Sequence, residues 1–195
     1  MRRPGEWAAQ LLATHPRQPD QRSCGASVLV VERALRDDGY ALFVLDRFGD
    51  EVLGMHRRTT GPVTVSGRLQ LPWPRALGTP PWAVAGQLTT PGRPRMVRWA
   101  VRRRSLLDRI DAHVAAGTTV PLYVGSRWLP RHVVLVLDAD GAGLECYEPH
   151  RGRIQRVTRQ AFADGTFDLA GWSTPWCAVV PRTDSPPRPA RRSSA

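Results

Sequence analysis

The chain has 195 residues, enough for one domain with a real core or for two lobes around a cleft, and too few for two independent enzymes. Hydrophobic residues make up 42% of it and charged residues 23%, a globular composition, and no run of about 18 apolar residues is present to cross a bilayer. The formal charge of +11 is carried by arginine, since all 28 basic residues are Arg.

Two stretches hold most of that excess: seven arginines against one aspartate from Arg93 to Arg109, and four against one from Arg182 onward. Ala, Gly, Pro and Arg together are what GC-rich coding favours, so solvated arginines are the first reading. An anionic partner through the Arg93 to Arg109 segment, nucleic acid included, is the second. Cys24, Cys146 and Cys177 form an odd set with no CxxC spacing, which argues against a disulfide framework and a thiolate metal site and suits a reducing compartment. The opening "MRRPGEWAAQLLATHP" lacks the apolar core of a secretory signal, so a cytoplasmic location is expected.

In chain order, "CGASVLVVERALRD" is apolar on nearly every side for three turns, with Ser23 in place to cap it, and reads as a buried helix. "YALFVLD" is a short strand or a short helix. Residues 47–92 are less regular, with Trp73 and Trp82 among prolines and a helix start at Thr79 as cap and Pro80 as first residue. "RMVRWAV" alternates as a strand does, and Leu106, Leu107, Ile110 and Val114 have helical spacing stopped at Gly117. Five strands follow: "TVPLYVG", "RHVVLVLD", "GLECYEP", "GRIQRVT" and "WCAVVP". From Arg182 the Pro, Ser and Arg of "RTDSPPRPARRSSA" read as a disordered basic tail. Helices first and an antiparallel sheet afterwards predict an α+β fold of two segregated parts with a cleft between them.

Cys24 opens its helix, where unpaired N–H groups and the helix dipole favour a thiolate. A nucleophile needs a base, and of His15, His56, His113, His132 and His150 the best placed is His132, at a strand start. His113 lies on a helix; the other three fall in loops or turns. A three-residue turn at Ala139, Asp140 and Gly141 pairs residue 132 with residue 148 and gives His132 and Glu148 one face, where the carboxylate orients the imidazole. A two-residue turn would put Glu148 on the other face. Cys146 and Cys177 read as packing residues, and no P-loop, HExxH, GxSxG or dinucleotide-binding glycine pattern is present.

Gln18 six residues before the cysteine, the Cys-Gly helix start, the "GTTVPLYVG" strand, the His-led strand and "YEP" at the end of its partner together resemble the papain-like cysteine peptidases. The nearest branch is the one with the bacteriocin-processing, double-glycine peptidase domains, and the likeness runs from Gln18 to about Val180, apart from 47–92. It implies a papain-like α+β fold, a buried N-terminal helix lobe plus an antiparallel β-sheet lobe, in one domain over 1–181 with a tail at 182–195. It also implies Cys24 as nucleophile, His132 as base, Gln18 as oxyanion donor and Glu148 as the third member. The family's usual Asp or Asn before proline is here a longer Glu, and the stricter Cys-Gly-Ser-Cys-Trp signature reads Cys24-Gly25-Ala26-Ser27. Gln21, three residues before the cysteine, is the rival donor. The activity implied is a thiol peptidase or amidase on a peptide or protein substrate, with no cofactor and no metal. Acyltransferases and deamidases share the same machinery. The alternative from a different class is a non-enzymatic protein on this fold that binds an acidic partner.

Overall fold

The structure, a computed structural model, describes residues 4–63, 69, 71, 73–90 and 92–182. The basic tail read from residue 182 lies, apart from Arg182 itself, outside the described residues. The helices are α1 Glu6–Ala13, α2 Cys24–Arg36, α3 Asp38–Val44, α4 Phe48–Thr60, α5 Pro81–Leu88, α6 Arg103–Ala115 and α7 Arg159–Asp164. The strands are β1 Arg95–Trp99, β2 Val120–Gly125, β3 Pro130–Ala139, β4 Gly143–Glu148, β5 Arg153–Thr158 and β6 Thr174–Pro181. They form one antiparallel sheet in the order β1-β6-β2-β3-β4-β5, so the protein is α+β.

Both faces of the sheet are covered. Along β3, Val133, Leu135 and Leu137 pack with α2 and the other N-terminal helices, while Val134 and Val136 pack with Ile110 of α6 and Phe162 of α7. Period-two alternation between two apolar layers is why the segment reads as an unbroken apolar run. The expected separation into a helix lobe and a sheet lobe is thereby modified: α2 lies directly on the sheet, and a second helical layer closes the other side. From Cys24 to Glu32 every residue of α2 is buried, and Arg33 and Arg36 are exposed.

One open alternative is settled and two local expectations change. "YALFVLD" lies largely in α3, because the Asp37 carboxylate accepts the Tyr40 amide at 3.0 Å and caps it. Helix α5 starts one residue later than read, with Pro80 at the cap and Pro81 as first helical residue; Thr79 is buried, and its Oγ1 has no partner. His56 lies inside α4 and not in a loop. Residues 47–92 thus contribute α4, a single 3-10 turn at Arg75–Leu77 and α5 to the N-terminal helical layer.

Candidate active site

The loop before α2 is tied at Asp20. Its carboxylate accepts the Arg22 amide at 2.8 Å, and its carbonyl accepts Gln18 Nε2 at 2.6 Å. Ser23 occupies the cap position, but its hydroxyl turns back to the Asp20 carbonyl at 3.4 Å and makes no capping bond. The expected Ser23 cap is therefore absent, and no side chain caps the first-turn N–H groups of α2. Gly25 is required by a close approach: a Cβ there would stand 2.7 Å from Thr79 Cβ.

His132 sits near the start of β3, opposite Val124 of β2. Its Nε2 lies 2.7 Å from Glu148 Oε1, with the histidine 6% exposed and the glutamate 0%. The Glu148 carboxylate also accepts the amides of His150 at 2.6 Å and Arg151 at 2.9 Å, so both oxygens are engaged at the end of β4.

The pair meets by a different register from the one expected. The turn is Asp140 to Gly143, held by Asp140 N–H to the Gly143 carbonyl at 2.9 Å and by the Asp140 carboxylate, which accepts two amides at 2.8 Å. Ala139 then faces Leu144 and Asp138 faces Glu145, but past a bulge at Leu137 the pairs become Val136 with Cys146 and Leu135 with Tyr147. Continued to the strand start, this register sets His132 two places off Glu148 and not directly opposite. A shift of two preserves the shared face; without the bulge Glu148 would share the face of Leu135. The longer glutamate side chain suits this diagonal.

Cys24 and His132 line the same cleft, close enough for the thiol to act on the charge of the imidazole. With Nε2 engaged by Glu148, Nδ1 is the ring nitrogen left for the thiol. Burial alone would lower the His132 pKa, but Cys24 and the hydrogen-bonded Glu148 outweigh it and carry it up to about 9. Burial would likewise raise the Glu148 pKa, yet the bonds from His132 and the two amides hold it below its ordinary value. His56 and His113 are pushed down by burial, and Cys146 and Cys177 are pushed up to about 12 by burial, as inert thiols are.

Cys24 and His132 open on a cleft of about 400 Å³. Trp73, Leu77, Pro81, Leu129 and Arg131 are among its lining residues. The lining is braced by the buried Tyr123 hydroxyl, which donates to the Thr79 carbonyl at 2.9 Å. Gln21 and Arg22 line the cleft; Gln18 does not. The structure thus sets Cys24 and His132 on one cleft with Glu148 bonded behind the histidine, while Gln18 is half-buried and its N–H donates to the Pro149 carbonyl at 2.8 Å. The Tyr123–Thr79 brace went unread in the sequence, since 44 residues separate its ends. Trp128, at 70% exposed, lies outside the core.

Among the described residues no group of three His, Cys, Asp or Glu side chains is placed to hold a metal ion, and no helix is long and apolar enough to cross a membrane. Comparison with family models and with curated proteins returns no match for this chain.

Proposed function

We propose that the protein is a papain-like thiol hydrolase of the cytoplasm, a cysteine peptidase or amidase acting on peptide or protein substrates. The observation that carries this reading is the buried His132–Glu148 pair at 2.7 Å, with Cys24 and His132 lining one cleft. Cys24, deprotonated by His132, attacks the amide carbonyl carbon. The oxyanion is held by the uncapped Cys24 N–H and by a glutamine amide. As the C–N bond breaks, His132 gives its proton to the leaving amine; it then takes a proton from water, which attacks the thioester and frees the acid and the thiol. An amine in place of that water makes the same site an acyltransferase, and a side-chain amide as substrate makes it a deamidase. The apolar walls and the Arg22 and Arg131 guanidiniums suit a substrate with an apolar side chain near an acidic one.

Incubation with short peptide anilides that vary in those two positions tests the reading. Wild type should release the aniline and Cys24→Ala should not. Gln18→Ala and Gln21→Ala identify the oxyanion donor by a loss of roughly 10²–10³ in kcat. Release that survives Cys24→Ala would end the thiol-hydrolase reading. A second reading, binding of an acidic partner without catalysis, draws on Arg98, Arg102 and Arg109 beside exposed Trp99 and Val101. Such binding would weaken steeply with salt and survive Cys24→Ala.

A further inference from the structure

The arginines of the Arg93 to Arg109 segment do not form one patch. Arg98, Arg102 and Arg109 line a shallow depression with Trp99, whereas Arg93 and Arg95 turn into a separate cavity of about 520 Å³. That cavity lies between the C-terminal half of α2, the end of α5, β1 and the loop after α6, and it shares no residue with the thiol cleft. Glu32, on its wall, is two turns along α2 from Cys24, about 12 Å by helix rise.

Charge in this cavity is unbalanced. Glu32 is the one carboxylate among the described lining residues, 1% exposed, and it is already paired with Arg36 Nη2 at 2.7 Å. Arg36, Arg93 and Arg95 therefore leave two positive charges uncompensated. Among the described residues Arg95 Nη1 is buried with no acceptor, although a buried N–H of a charged group is seldom left unpaired. Burial pulls the Arg95 pKa down, with Glu32 only partly opposing it. The remaining lining sets Leu35, Leu88, Val114 and Leu137 beside Thr90, Thr118 and Thr119.

We propose that this cavity binds an oxyanion, a carboxylate or phosphate borne on a small apolar body, with the half-buried Arg95 as anchor and Arg36 and Arg93 beside it. A guanidinium offers paired donors to two oxygens of such a group, and the leucines take the body. The proposal is independent of the thiol chemistry.

Thermal melting of the full-length protein in inorganic phosphate and in butyrate, against chloride at equal ionic strength, tests it. A saturable rise of about 5 °C or more is expected at high occupancy with at least one of the two, since a ligand bound only by the native state raises Tm. The rise should be lost in Arg95→Met and reduced in Arg93→Gln, which carries the test if the first variant fails to fold. A rise with phosphate identifies a phosphate-bearing ligand and a rise with butyrate a carboxylate. No rise above chloride for either anion, or one that the variants retain, overturns the proposal.

Discussion

His132 and Glu148 are buried against each other, so each sets the charge of the other and both make stability depend on pH. The His132 pKa is raised above its unfolded value of ~6.5, so its contribution is complete below that pH and is lost as pH rises through about 9. The Glu148 pKa is depressed, so its contribution is present above the unfolded value of ~4.3 and is lost as pH falls through the folded one. The His132 term is on the order of 3 kcal/mol and is shared with Cys24. Urea midpoints of wild type and Glu148→Gln should therefore differ most between about pH 5 and 6.5 and draw closer as pH rises through about 9, leaving the part due to the His150 and Arg151 amides. A difference that stays flat from pH 5 to 10 would contradict the pairing. The residue types were legible in the sequence, because few histidines are present and one begins a strand. The hydroxyl of Ser23 was not, since a cap and a loop contact compete for it within one turn of chain.

At the scale of elements, α2 and the loop before α5 are held in contact by the absence of one carbon. Gly25→Ala would put a Cβ 2.7 Å from that of Thr79 and push the cleft wall outward, at a cost of about 1–3 kcal/mol. Thr79→Gly in the same chain should recover part of that loss in a denaturation series; full additivity of the two changes would show that they do not touch. Strands β1 to β6 were legible from alternation and turn residues, and so were α2 and α6 from apolar spacing. The hairpin register was not, because the bulge at Leu137 looks like any other member of an apolar run. The shared face of His132 and Glu148 was read from a turn that the chain does not use; the displacement happens to be even, so the face survives.

At the scale of the molecule, the helical layer carries Cys24 and the sheet carries His132 and Glu148. Sequence alone indicated helices and strands, but not that β1 would pair with β6 at one edge or that α6 would cover the second face. Those are long-range pairings that no local signal encodes. The same layering explains why residues 47–92, irregular as sequence, matter: their turn at Arg75–Leu77 and the start of α5 wall the cleft.

The central claim is that Cys24, His132 and Glu148 act as one unit across that helix-to-sheet boundary. The most direct measurement is an NMR titration of the His132 imidazole in wild type, Cys24→Ala and Glu148→Gln. The account predicts a midpoint of about 9 in wild type that falls in each variant. A midpoint near ~6.5 that neither substitution moves, as for an unperturbed histidine, would contradict it.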